Sequence, residues 1–142
     1  MRLVLDTTVV VAALRSGKGA SRELLTAALE KRFDLLVSVP LMIEYESVLT
    51  RQEHREAAGL SSKEMSVILD AIASVADPIR LSFLWRPMLE DPDDDMVLET
   101  AANGLADYLV TFNQRDFTPV SATLGIRVGL PGTVLRELRR KP

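Results

Sequence analysis

Asp6 closes the short apolar run Leu3-Val-Leu5. Glu44 sits in Leu41-Met-Ile-Glu44-Tyr45-Glu46. Residues 90–95 read E-D-P-D-D-D, and Asn113 and Asp116 follow the apolar run Tyr108-Leu-Val-Thr111. With one histidine and no cysteine in the chain, the groups most able to do chemistry are carboxylates. Carboxylates brought together raise each other's pKa unless a positive charge compensates. A hard divalent cation compensates well, and magnesium takes oxygen ligands while keeping several waters, so a few carboxylates suffice to hold it. Such an ion activates water and stabilises charge on a phosphoryl oxygen. The residue types therefore point to Mg2+ or Mn2+ and to phosphate ester chemistry.

Each acid also has a plainer reading. Asp6 can end a strand in a polar turn. Glu44 and Glu46 are equally available as surface acids. Asp91 as N-cap, Pro92 at the first helical position and acids in the first turn all favour a helix start. That accounts for three acids comfortably but does not require the five present between Glu90 and Asp95. Asp116 can cap a turn or start a short helix. His54, among Arg51, Glu53, Arg55 and Glu56, reads as part of a solvated helix face.

The elements that must position these groups alternate. Arg2–Leu5 reads as a buried strand, and Val9–Leu14 either prolongs it or begins a helix. Ser21 is the expected cap of a helix with the stripe Leu24, Leu25, Ala28 and Leu29. Phe33–Val39 is a second strand. Pro40 opens a helix with Ile43, Val48 and Leu49 near one face. Ser61 and Glu64 form a capping-box pattern ahead of Met65, Ile68, Leu69, Ile72 and Val75; this stripe is better read as core than as a dimer contact. Ile79–Leu81 reads as a short strand. A helix from Asp91 and Pro92 places Val97, Leu98, Ala101 and Ala102 on one face. Tyr108–Thr111 is a strand, followed by a polar loop, a brief strand at Ile126–Val128 and a last helix from Pro131. Strands alternating with helices predict a layered α/β fold with a mainly parallel sheet. In such sheets ligands bind at the carboxyl ends of the strands, where Asp6, Glu44, the Asp91–Asp95 run, Asn113 and Asp116 all fall.

Composition sets the outer limits. The 142 residues, 47% hydrophobic and 26% charged, suit one globular domain over 1–142. A net charge of -3 disfavours broad wrapping of nucleic acid. Local contacts to a substrate can still come from Arg15, Lys18, Arg22, Arg51, Arg55 or Arg115. The aromatic fraction of 5% offers no evident stacking platform. Without cysteine there are no disulfides or thiolate metal sites, which suits a cytoplasmic setting. No signal peptide and no membrane-length apolar run is visible.

These residues resemble the PIN-domain ribonucleases, and most closely the VapC-like toxins of toxin–antitoxin pairs. The resemblance lies in Asp6-Thr-Thr8, Leu41-Met-Ile-Glu44-Tyr45, Asp91-Pro-Asp-Asp94-Asp95 and Asp107-Tyr-Leu-Val-Thr-Phe-Asn113-Gln-Arg-Asp116-Phe117, in that order along essentially the whole chain. Gly19-Ala-Ser21-Arg-Glu-Leu-Leu25 and Phe33-Asp-Leu-Leu-Val-Ser38 are similar to that group's connecting segments. The resemblance implies a three-layer α/β/α sandwich and a metal-dependent ribonuclease site. Its acids fall on Asp6, Glu44 (the glutamate before the tyrosine, rather than Glu46) and Asp94, with Asp116 as the fourth and Asp91 as an outer ligand. These would hold one or two Mg2+ or Mn2+ ions, with Asp116 at a second ion or orienting the attacking water. Thr7, Thr8, Thr111 and Asn113 would donate hydrogen bonds to phosphate or to the metal's water, and Arg115 is one candidate for substrate contact. A cognate antitoxin whose tail blocks the site, and a homodimer, are the expected partners.

Two positions depart from the family's pattern. Thr8 stands where asparagine is frequent, and Asn113 stands where the fourth acid often lies. They leave open a second reading, a PIN-fold binding module with weakened catalysis. Other enzymes with acids at strand ends fit less well. A haloacid-dehalogenase-type phosphatase requires an aspartate where Thr8 stands, and a receiver domain requires paired acids and a lysine for which no convincing set exists.

Overall fold

The computed structural model of the protein describes residues 1–82 and 92–140. In chain order the elements are β1 (Arg2–Leu5), α1 (Thr7–Arg15), α2 (Ala20–Leu29), β2 (Asp34–Val37), α3 (Val39–Leu49), α4 (Gln52–Ala58), α5 (Ser62–Val75), β3 (Asp77–Pro78), α6 (Pro92–Asn103), β4 (Tyr108–Val110), α7 (Gln114–Ser121), β5 (Arg127–Gly129) and α8 (Pro131–Arg140). The strands form one sheet in the order β3-β2-β1-β4-β5, and every pairing is parallel. The alternation predicts a layered α/β fold with a parallel sheet, and the fold is the three-layer α/β/α sandwich that the resemblance implies.

β1 is the central strand. Leu3, Val4 and Leu5 are fully buried, because in a parallel sheet covered on both faces a strand needs apolar side chains on both sides. Leu3 pairs with Leu35 on β2 and with Tyr108 on β4. This register places Leu5 beside Val110, so β1 and β4 end together and Asp6 emerges next to Thr111. At the opposite edge Arg2 binds several elements. Its backbone N–H donates to Asp107 (2.7 Å), its Nε to the Gly104 carbonyl (3.0 Å) and its Nη1 to Asp77 (3.1 Å).

Several local details settle or correct the sequence reading. Val9–Leu14, open between strand and helix, is helical within α1, which starts immediately after Asp6. The cap of α2 is Gly19 rather than Ser21, at φ 111°, a backbone conformation glycine adopts without steric cost. The Ile79–Leu81 strand is instead Asp77–Pro78, extended by an Ile79 N–H bond to the Val37 carbonyl (2.9 Å). Ile43 is 61% exposed, so α3 buries Leu41, Tyr45, Val48 and Leu49 instead. The polar stretch after β4 is a helix, α7, whose Phe117 is fully buried. The Ser61–Glu64 capping box is present in both directions, and its bonds hold the Glu64 carboxyl below its ordinary range. Met65, Leu69 and Ile72 face the core. Helix α4, the helix face on which His54 was read, is short and carries no buried residue.

Candidate active site

Asp6 is 5% exposed. Its Oδ2 accepts hydrogen bonds from Thr111 Oγ1 (2.7 Å) and Thr8 Oγ1 (2.9 Å). Thr111 is itself held: its N–H donates to the Gly129 carbonyl (3.0 Å), and its Oγ1 accepts from the Asn113 N–H (3.0 Å). The hydroxyl hydrogen is thus directed at Asp6. Burial pushes the Asp6 carboxyl above its ordinary range, and the hydroxyls of Thr111 and Thr8 offset part of that rise. The dominant cause is desolvation, not repulsion among converging acids as the sequence reading anticipated.

Two further anchors bring other segments to this strand end. Tyr45 is fully buried, and its hydroxyl donates to the Leu5 carbonyl, fixing α3 against the end of β1. Burial first, and then the nearby Asp6 charge, keep the Tyr45 phenol protonated. Helix α6 is joined to the start of α3 by buried hydroxyls. Thr100 Oγ1 donates to the Met96 carbonyl (2.9 Å) and lies 2.7 Å from Ser38 Oγ, which accepts from the Leu41 N–H as the cap of α3. The two helices that carry Glu44 and Asp94 are therefore tied to each other, and one of them is tied to β1.

The result is a cavity of about 340 Å3 lined by Asp6, Thr7, Thr8, Glu44, Asp93, Asp94, Asn113 and Asp116, with Val11, Val48, Val97 and His54 completing the wall. Glu46, exposed on α3, is not among its lining residues. Consecutive aspartates separate by side: Asp93 and Asp94 line the cavity, whereas Asp95 turns inward and is 2% exposed. A helix turns by about 100° per residue, so one acidic run serves both the cavity and the interior.

Not every expected residue lines this cavity. Thr111 lies behind it, reaching it only through Asp6. Arg115 is exposed and does not line it, and no lysine or arginine does among the described residues. Arg55 donates to the Thr50 carbonyl and Arg22 to the Ala13 carbonyl. Asp91 lies outside the described residues. His54, expected on a solvated face, instead lines the acid cavity; its Nδ1 is buried with no hydrogen-bond partner among the described residues. Its charged neighbours in sequence suggested water. No local signal reveals that α4 brings His54 to the wall of the site.

The donors fit a hard divalent cation by type and by placement: carboxylates from four separate segments face one cavity, with no soft ligand. Among the described residues, no three acidic or histidine side chains are already gathered into a ready cage. Magnesium usually keeps several waters and is bound through one or two carboxylates plus substrate phosphates, so a ready cage is not required of such a site. Among the described residues, no helix is long and apolar enough to cross a membrane.

The family model described as PIN domain matches residues 2–115, a span that holds β1 through the start of α7. No curated protein matches the chain.

Proposed function

The chain belongs to the PIN domain family, whose members are generally metal-dependent nucleases, and from that premise we propose that it is a ribonuclease using Mg2+ or Mn2+, the toxin of a VapC-like toxin–antitoxin pair. The observation that carries this reading is the shared cavity of Asp6, Glu44, Asp94 and Asp116, four acids from separate segments. Asp6, Glu44 and Asp94 would hold the ion, with Asp116 at a second ion or at the attacking water. A bound divalent ion lowers the pKa of water and stabilises charge developing on the phosphoryl oxygens. The chain's own residues do the rest. Thr111 and Thr8 fix one oxygen of Asp6, holding the carboxylate in a single orientation. Thr7 and Asn113 line the cavity as hydrogen-bond donors for phosphate or water, while Thr8, whose hydroxyl hydrogen goes to Asp6, offers only acceptor lone pairs there. Val11, Val48 and Val97 supply an apolar wall that restricts water and strengthens electrostatic contacts. RNA is the substrate of this reading, and an antitoxin and a second copy of the chain are its partners.

The rival is a PIN-fold binding module with weakened catalysis, favoured by Thr8 and Asn113, the two positions that depart from the family's pattern. Cleavage of a mixed RNA by wild type, Asp6→Asn and Asp94→Asn, each in manganese and in chelator, separates the two. Manganese-dependent cleavage by wild type, reduced at least about a hundredfold in both variants, supports the ribonuclease. No cleavage by wild type together with no thermal shift in manganese or magnesium supports the binding module.

A further inference from the structure

A second cavity, of about 490 Å3, adjoins the acid site. The two run side by side along the same elements: Val11 lines the first and Ala12 the second, Asn113 the first and Phe112 the second. Their charges are opposite. The acid cavity has no lysine or arginine among its described lining residues, whereas the second has Lys18 and Arg136 and no acidic one. Both cations are exposed, and neither has a carboxylate partner among the described residues. In a chain with 20 acidic residues and a net charge of -3, a wall with two cations and no acid concentrates positive potential where the global charge opposes it. Ser16, Ser21 and Thr133 add hydroxyls to the lining. Helices α2 and α8 both start at this wall, and their opening N–H groups contribute partial charge of the same sign. Phe112 lines the second cavity one residue before Asn113 of the first and is 48% exposed, although it follows a buried strand whose Leu109 and Val110 are fully covered.

We propose that this second cavity holds the nucleotides adjoining the one cut at the acid site, Lys18 and Arg136 contacting the phosphate and Phe112 stacking on a base. The proposal rests on the ribonuclease reading for its ligand. The acid cavity alone repels a polyanion, and the neighbouring cations keep the strand in place while one phosphate lies among carboxylates. A single exposed aromatic is sufficient for one base, since every base offers a π-face. The low aromatic content gave no sign of it, because one well-placed ring is invisible to composition.

The test is equilibrium binding of a short fluorescein-labelled oligouridylate to the full chain in chelator, read by anisotropy at several salt concentrations. Lys18→Ala/Arg136→Ala weakens binding by about tenfold or more and makes the slope of log K on log salt shallower by about 1.4. Phe112→Ala weakens it by about tenfold; Phe112→Trp restores binding and Phe112→Leu does not. Wild-type binding in the cavity variants, or no binding by wild type, overturns the proposal. So does a changed oligomeric state of the double variant, read by light scattering, with RNA binding unaltered; that assigns the cavity to a second copy. The same oligonucleotide is then assayed for cleavage in manganese. Cavity-dependent binding without cleavage ends the ribonuclease reading and keeps the cavity. Cleavage with unaltered kcat/KM in the variants keeps the ribonuclease and ends the cavity.

Discussion

Thr111 Oγ1 donates to Asp6 Oδ2 at 2.7 Å, joining residues 105 apart in sequence at the common end of β1 and β4. Both residues are buried, so the bond is made to a carboxylate largely removed from water. Thr111→Val keeps the shape and removes the donor. It is expected to destabilise the protein by about 1.5–3 kcal/mol at neutral pH, measured by urea unfolding, while Thr111→Ser retains most of the stability. Equal stability of the valine variant and wild type would mean that Asp6 is satisfied by other groups.

The raised Asp6 pKa gives a pH dependence to the metal-free protein. A carboxyl that binds its proton more tightly folded than unfolded contributes stability below its unfolded value, near 3.8. That stability is lost as pH rises through the higher folded value. In chelator, wild type therefore loses stability over this window by more than Asp6→Asn does, and Asp6→Asn melts higher at neutral pH. Added manganese stabilises wild type and leaves the asparagine variant nearly unmoved. A lower melting temperature for Asp6→Asn in chelator at neutral pH would show that the ionised carboxylate is favoured by the fold.

The hydroxyl chain from Ser38 to Thr100 to the Met96 carbonyl positions α3 against α6. Thr100→Val leaves Ser38 without this partner and is expected to cost about 1–3 kcal/mol. Ser38→Ala also removes the cap of α3 and costs about 0.5–2 kcal/mol. Because the two share one bond, the double variant costs less than the sum. Additive losses in a double-mutant cycle would show the hydroxyls to be independent.

Gly104 is needed for space. A Cβ there would lie 2.9 Å from Leu36 Cδ1, 3.0 Å from the Thr100 carbonyl oxygen and 3.2 Å from Ile79 Cδ1. Gly104→Ala is expected to destabilise by about 1–3 kcal/mol. Gly17→Ala, with nothing within 4 Å of its Cβ, stays within about 1 kcal/mol of wild type. Thermal melts of the pair check the contrast.

The parallel sheet was legible because β1, β2 and β4 are short apolar runs followed by Asp6, Ser38 and Thr111, and because caps such as Ser61 with Glu64 are local patterns. The common placement of Asp6, Glu44 and Asp94 was legible for the same reason: each follows a strand or opens a helix at the same sheet edge. What stayed hidden depends on contacts distant in sequence. Tyr45 reads as one more half-polar helix residue until its hydroxyl meets Leu5. His54 looks solvated until the packing of α4 brings it to the cavity wall. Asp95 looks like a third surface acid until the helix phase turns it inward. The pairing of Lys18 with Arg136 requires α2 and α8 to begin beside each other, which no local pattern encodes.

The central claim is that acids from separate segments form one site for a divalent ion. Calorimetric titration of manganese into wild type, Glu44→Gln and Glu46→Gln tests it most directly, because these two glutamates are near neighbours on α3 and only Glu44 lines the cavity. Binding to wild type weakened by about tenfold or more in Glu44→Gln and unchanged in Glu46→Gln is the predicted result. Equal affinity in all three proteins, or no manganese binding by wild type, would contradict it.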